Sequence, residues 1–283
     1  MLPSDFCPEE YLRIHPDVRL AGIDPAQHYL AWGISENRSY KRDPAAVTPI
    51  VERLYQFDGL ASKHNHDFMS DPRFIKAYAR GVKAARGADY KWYWRVHMGL
   101  WAARTAARHE GDFVECGVNY GVLSSAIMED LDWNNCSRKF YLLDTYAGVD
   151  DRYLSDQEKI SGATEKNRKL IANGFYTSNI DSVRENFAEW PNAVIVQGSI
   201  PDTLVEIKSS QIAFLHIDLN CTLPEVAAIE HLWERLVPGA VVLLDDYAYY
   251  GYHPQKEGMD EWASRANIAI ASLPTGQGLL IKP

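Results

Sequence analysis

The chain has 283 residues, 46% apolar and 24% charged, enough for one substantial globular domain with a small appendage. Its formal charge of −9 excludes a nucleic-acid binder built on a basic stripe, though not local binding of a small anionic ligand. No stretch approaches the ~18 uninterrupted apolar residues of a membrane span, and MLPSDFCPEE does not read as a secretory leader, so no membrane insertion and a cytoplasmic setting are expected. Cys7, Cys116, Cys136 and Cys221 are scattered without a CxxC pair and read as free thiols rather than a disulfide or zinc set.

Residues 1–42 read as a small helical module. Pro16 opens a helix after His15 and Gly22 closes it; Asp24 and Pro25 form a cap and first-turn pair, and Gly33 stands where a C-cap belongs. Tyr11, Leu12, Val18, Leu20, Tyr29, Leu30 and Trp32 supply its small core. Residues 43–69, containing most of KRDPAAVTP, read as a linker, and residues 70–283 as the main domain. That domain begins with helices. Asp71-Pro72 caps RFIKAYARGVKAARG, and KWYWRVHMGLWAARTAAR places Trp92, Val96 and Leu100 on one face, with aromatics suited to a core or a homodimer interface.

From residue 112 short β-rich runs alternate with helices: DFVECG, KFYLLDTY, AVIVQGS, IAFLHID and AVVLLDD, separated by LSSAIMEDL, SVRENFAEW and LPEVAAIEHLWERL. In the last, Val226, Ile229, Trp233 and Leu236 mark one face. Near-continuous apolar strands alternating with amphipathic helices predict an α/β, doubly wound, Rossmann-like and mostly parallel sheet covered on both faces. NIAIASL and GLLIKP form a closing hairpin around PTGQG, which makes the last strand antiparallel.

In such a sheet ligands bind beyond the carboxyl ends of the strands, so the residues there are the candidates. ECGVNYG after the first strand offers Glu115, Gly117, Asn119, Tyr120 and Gly121, a glycine turn that lets a ligand approach backbone N–H groups. A turn needing glycine for sterics alone explains the same residues. Asp144 ends the second strand, where a carboxylate can accept from a ribose diol. The glycine spacing is not G-x-G-x-x-G, which disfavours a dinucleotide and suits S-adenosylmethionine. Gly198 and Ser199 follow the third strand, where an adenine edge would lie. Asp218 ends the fourth strand, and Asp245 and Asp246 end the fifth. Three carboxylates on one rim suit Mg²⁺, whereas a helix cap plus a solvated acid is the plainer alternative.

GDFVECGVNYG, FLHIDLN and VPGAVVLLDDY, within residues 70–283, resemble the macrocin O-methyltransferase (TylF-type) family. The resemblance implies a class I S-adenosylmethionine-dependent, Mg²⁺-dependent sugar O-methyltransferase, and the ending SLPTGQGLLIKP fits a bacterial branch of such proteins. It implies that Glu115, Gly117 and Gly121 cradle the methionine part of the donor, with Asn119 and Tyr120 in the same loop. It places Asp144 on the ribose, Gly198 and Ser199 near the adenine, and Asp218, Asp245 and Asp246 on Mg²⁺. Where macrolide enzymes read D-x-D-L-Y, this chain has Asp218-Leu219-Asn220-Cys221, so the second acid is lost; catechol methyltransferases place a base lysine where Cys221 stands. YLRIHPDVRLAGIDPAQHYLAWG resembles helical modules attached to bacterial surface-glycan enzymes, which implies a glycan-assembly partner for residues 1–42.

The expected reaction is methyl transfer to a sugar hydroxyl on a small-molecule or glycan acceptor, with Asp218, Asp246 or His253 as base. The long insert after the second strand is expected to act as a lid or acceptor wall, or to be two ordinary surface helices. Tyr247, Tyr249, Tyr250 and Tyr252 are candidates to stack on a sugar. A catechol-like acceptor and a non-catalytic scaffold are the rival readings.

Overall fold

The computed structural model of the protein describes residues 2–41 and 54–283. It divides into two compact units, Met1–Leu54 and Tyr55–Pro283. Among the described residues no helix is long and apolar enough to cross a membrane.

The first unit carries α1 (Pro8–Ile14), α2 (Pro16–Leu20) and α3 (Pro25–His28), then a π-helical turn, Tyr29–Gly33. Proline at each helix start and the Asp24 carboxylate accepting from Gln27 N–H at 2.8 Å explain the three separate starts. Gly33 is not the expected C-cap. It is buried inside the turn, where a Cβ would come within 2.5 Å of the Tyr11 hydroxyl. Tyr11 and Val18 form the core, with Tyr11 Oη 3.0 Å from His28 Nδ1. Leu30 and Trp32, expected inside, are exposed, because the π turn rotates them off the buried face; the side chain of Leu20 lies outside the described set.

The second unit starts with a hairpin, β1 (Tyr55–Phe57) and β2 (Leu60–Ser62), inside the stretch expected as linker. Asp58 and Gly59 turn it with φ of +51° and +73°, the two positive values a two-residue Asp-Gly turn requires. The linker expectation is therefore corrected from residue 54 onward; residues 43–53 of it lie outside the described residues. Helices α4 (Pro72–Ala84) and α5 (Tyr93–Ala106) follow.

Then come β3 (Asp112–Cys116), α6 (Val122–Asp130), β4 (Phe140–Asp144), α7 (Asp156–Ile160), α8 (Ala163–Ala172), α9 (Ile180–Phe187) and β5 (Ala193–Gln197). After them stand β6 (Ile212–Ile217), α10 (Thr222–Leu232), β7 (Leu236–Leu244), α11 (His253–Ala266), β8 (Ala271–Ser272) and β9 (Gly278–Ile281). Leu236, expected on the helix with Val226, instead begins β7, because a 3₁₀ turn at Trp233–Arg235 ends that helix early.

The seven-stranded sheet has the order β5-β4-β3-β6-β7-β9-β8, parallel through β7 and antiparallel at β9 and β8. Register separates its faces. Phe113, Phe140, Phe214 and Val241 pack under α4, α5, α6 and α9, while Val114, Tyr141, Leu215 and Val242 pack under α10 and α11. Both faces are apolar because both are covered, which makes the strands read as continuous rather than alternating runs. The chain winds outward from β3 to β5, then returns to β6 beside β3, so the strand order reverses between β3 and β6. A crevice opens at that switch point, at the carboxyl ends.

Candidate active site

The carboxyl ends of β3 to β7 line a cavity of about 310 Å³, a volume typical of a small-molecule site. Of the residues expected from sequence, Glu115, Gly117, Asn119, Asp144, Gly198, Ser199, Asp218, Asp245 and Asp246 surround it. Three others do not. Tyr120 turns away, with Arg86 over its ring at 5.3 Å and its hydroxyl donating to Gly174 O at 3.0 Å. Gly121 caps α6 at φ +83° and faces the Phe187 ring. His253 begins α11 exposed to solvent, so its expected role as base is corrected.

On the β3–β4 side the geometry follows from one glycine. Gly117 sits at φ +92°, and a Cβ there would fall 1.7 Å from the carbonyl oxygen of Asp218, so only glycine lets β3 and β6 part at this point. The loop it starts is fixed by Asp144: Oδ2 accepts from the N–H groups of Val118 and Asn119, both at 2.7 Å, and Oδ1 from Tyr146 N–H at 2.7 Å. Asp144 is thus a loop organiser whose oxygens any ribose would have to share. Asn119 ties the loop to the insert, donating to Phe175 O at 2.9 Å and accepting from Thr177 N–H at 2.8 Å. Ser199 donates to Asp150 Oδ2 at 2.5 Å.

Glu115 is buried in β3 opposite His216 of β6; its Oε1 lies 2.9 Å from His216 Nδ1, while its buried Oε2 has no partner. An orphaned carboxylate oxygen in a cavity wall is a place for a cationic ligand group. Together with the glycine cradle, it fits a methylsulfonium donor carrying an α-amino group.

The β6–β7 side is crowded with charge. Asp218, Asp245 and Asp246 follow directly on Ile217 and Leu244, and Arg95 from the first turn of α5 enters among them. The Arg95 guanidinium bonds Asp245 Oδ2 and reaches Asp58 Oδ2 at 3.2 Å and Asp246 Oδ1 at 4.0 Å. Gln277, from the β8–β9 turn, donates to Asp245 Oδ1 at 2.9 Å. His216 Nε2 lies 3.6 Å from the same oxygen, too far for a hydrogen bond, so that attraction is coulombic. Although burial works against its charge, Arg95 and His216 hold Asp245 well below the usual carboxylate range. Burial likewise opposes the His216 cation, yet Asp245 and Glu115 push it up to about 10. Asp218 and Asp246 go the other way: burial and the neighbouring carboxylates raise both, Asp246 to about 7. Glu225 on α10 is raised well above the ordinary range by burial and by Asp246 and Asp218.

The three aspartates expected to hold Mg²⁺ do share this rim, but as arranged they do not fit it. Both Asp245 oxygens already have protein donors, and Asp218 Oδ1 accepts from the Asn220 amide at 3.0 Å. Among the described residues no three His, Cys, Asp or Glu side chains come together to hold a metal ion. The positive partner of the Asp245–Asp246 pair is Arg95.

The insert forms one wall. Glu158 at the start of α7 accepts from Thr222 N–H at 2.8 Å, and Lys166 of α8 donates to the Tyr252 hydroxyl at 2.6 Å, which donates to Asn220 Oδ1 at 2.6 Å. Tyr249 and Tyr252 line the cavity, whereas Tyr250 is 95% exposed and Tyr247 is buried against Asp260. Sequence reading missed Arg95, Asp58, His216, Lys166, Glu225 and Gln277. The available signals were ionisable residues inside otherwise apolar segments, IAFLHID and the WYWRVHM helix, and the Asp-Gly turn.

The profile of the macrocin-O-methyltransferase (TylF) family matches residues 102–270, more than half of the chain. A curated relative, the 8-demethyl-8-(2,3-dimethoxy-alpha-L-rhamnosyl)-tetracenomycin-C 4'-O-methyltransferase of Streptomyces olivaceus, is 27% identical over 144 residues, which cover 49% of this chain and 53% of that protein. The match thus spans about half the length of that relative. Among solved structures, the O-methyltransferase NovP superposes with a TM-score of 0.57 at 18% identity, covering 66% of this chain and 79% of its own. The calicheamicin methyltransferase CalS11 gives 0.50 at 15%, covering 78% and 98%. These two likenesses establish the fold, a class I methyltransferase sheet closed by an antiparallel strand. With its glycine turn, switch-point cavity and matched profile, the chain belongs to the macrocin-O-methyltransferase (TylF) family.

Proposed function

We propose that this protein is an S-adenosylmethionine-dependent O-methyltransferase acting on a hydroxyl of a sugar, within a glycosylated natural product or glycan. The observation that carries the reading is one cavity joining a glycine-cradled loop, with the orphaned Glu115 Oε2, to Asp218 and Asp246, two buried carboxylates with raised proton affinity. The family match supports the reaction class, and the relative named for a rhamnosyl 4'-O-methyl transfer supports a sugar acceptor.

S-adenosylmethionine supplies a methyl carbon on a positively charged sulfur. Glu115 Oε2 would accept from the donor's α-ammonium, and the Gly117 turn would let the donor come close to the backbone. When bound, such a donor would supply an electrophilic methyl carbon for the acceptor oxygen, with the carbon–sulfur electron pair leaving on sulfur, and Asp218 or Asp246 would take the hydroxyl proton. Asp246, pushed up to about 7, suits that task, since it is both partly ionised and basic enough to take the proton. The remaining contribution is alignment of oxygen, carbon and sulfur, for which Tyr249, Tyr252 and the insert supply a fixed wall.

Calorimetry with S-adenosylhomocysteine tests the donor site, and product analysis on rhamnosides beside catechols tests the acceptor. Micromolar binding together with methylation of a rhamnoside supports the proposal; no binding, or turnover confined to catechols, overturns it. The N-terminal unit, with Leu30, Trp32 and Ile34 exposed, is read as a docking element for a glycan-assembly partner. Loss of turnover with purified acceptor on removing residues 2–41 would contradict that part.

A further inference from the structure

We propose that Arg95 is the resident cation of the acceptor end of this cavity. It occupies Asp245 permanently and offers a free N–H to the acceptor oxygen, so the site works without a divalent ion. The inference rests on the methyl-transfer reading for the identity of that oxygen.

The argument starts from where Arg95 is held. It is 8% exposed, and two other segments of the chain converge on it. The Asp-Gly turn of the β1–β2 hairpin presents Asp58, whose Oδ2 takes Arg95 Nε and whose Oδ1 takes the Tyr249 hydroxyl at 3.2 Å. The end of β7 presents Asp245, which receives Nη1 through its carboxylate and through its backbone oxygen at 3.3 Å. The Tyr249 ring lies 4.6 Å from the guanidinium carbon and the Trp92 ring 5.9 Å. Such a cage fixes a planar, always charged group in one orientation. Nη2 has no hydrogen-bond partner among the described residues, and Arg95 lines the cavity.

Charges alternate through this cluster: Asp58, Arg95, Asp245, His216, Glu115. Mg²⁺ demands near-octahedral oxygen coordination at about 2.0–2.1 Å. Asp245 would join such a shell only by sharing oxygens that already accept from Arg95 and Gln277. The Asn220 carbonyl oxygen is taken by Tyr252, itself bonded to Lys166. A dication between Asp218 and Asp246 would also face Arg95, 4.0 Å from Asp246 Oδ1, in a poorly screened interior. The rim therefore uses a side-chain cation where three free aspartates would have used a metal.

The test is a Mn²⁺ titration of the full chain, with and without S-adenosylhomocysteine, following the free-ion electron paramagnetic resonance signal. Expected are no stoichiometric uptake by the wild type, an S-adenosylhomocysteine affinity unchanged when EDTA replaces Mg²⁺, and uptake of one ion by Arg95→Met that Asp218→Asn then abolishes. One Mn²⁺ bound by the wild type and lost in Asp218→Asn would overturn the proposal. So would an Arg95→Met chain with a cooperative thermal transition that gains no ion. If Arg95→Met does not fold, the wild-type titration still decides. Failure to bind S-adenosylhomocysteine would sink the methyltransferase reading and leave the Mn²⁺ result to judge Arg95 independently.

Discussion

At the ends of β3 and β4 the Asp144 carboxylate is ringed by backbone N–H donors and one threonine hydroxyl, whereas at the ends of β6 and β7 three aspartates meet Arg95 and His216. Amides stabilise an anion without carrying a charge, so the first region is quiet, and Asp144 there fixes a loop. In the second, every ionisation alters its neighbours', and Asp245 is driven down while Asp218 and Asp246 are driven up. The donor side is held by shape and the acceptor side by charge. Substitutions on the two sides should therefore fail in different ways.

The largest effect is expected on the shape side. Gly117→Ala puts a methyl group against the Asp218 backbone, where no rotamer relieves the clash. It should cost more than about 3 kcal/mol of stability in urea unfolding and abolish S-adenosylhomocysteine binding. Native-like stability in that variant would mean that the β3–β6 crevice is not held as described. On the charge side, the double variant Asp218→Asn/Asp246→Asn should bind S-adenosylhomocysteine within a few-fold of wild type. It should lose about 10²–10⁴ in turnover, the usual worth of a positioned base. Loss of binding instead would erase the division between the two sides.

Titration offers the next distinction. Since Asp246 is pushed up to about 7, and the proton acceptor must be ionised, turnover should rise with pH through that region. Asp246→Asn should flatten the rise. His216 gives the opposite slope in stability. Its folded value, about 10, lies above the ordinary 6.5, so its contribution is complete below pH 6.5 and lost as pH rises through about 10. Melting temperature should fall over that interval, and less so in His216→Gln.

The same division explains how much was legible in the sequence. The five parallel strands and the closing hairpin stood out because strands covered on both faces are unbroken apolar runs ending in a small or acidic residue. The strand ends located Asp144, Asp218, Asp245 and Asp246 by position alone. What the sequence concealed was direction and partnership. Tyr120 and Asn119 are adjacent, yet one turns to Arg86 and the other lines the cavity. Arg95 lies 150 residues from Asp245 in the chain, and the helix that carries it was read for its apolar face, Trp92, Val96 and Leu100. Gln277, in a stretch that reads only as a turn, proves to be buried and bonded to the site. The Asp58-Gly59 turn was the exception, a readable hairpin signal lying where a linker was expected.

The smallest expected effect lies where the insert meets the rim. Lys166 is exposed on α8 and donates to Tyr252, which in turn fixes Asn220 beside Asp218. An exposed cation contributes little to stability, so Lys166→Ala should leave the melting temperature nearly unchanged. Its consequence should be in catalysis: Tyr252 loses the donor that orients its hydroxyl, and Asn220 loses its fixed position next to the base. Because only positioning is affected, the change should be about a few-fold, seen in KM for the acceptor more than in kcat. Tyr252→Phe should reproduce it, and the double variant should add little, since both changes break one hydrogen-bonded chain. Additive losses would mean that Lys166 touches the acceptor directly, which would make the insert a binding surface rather than a wall.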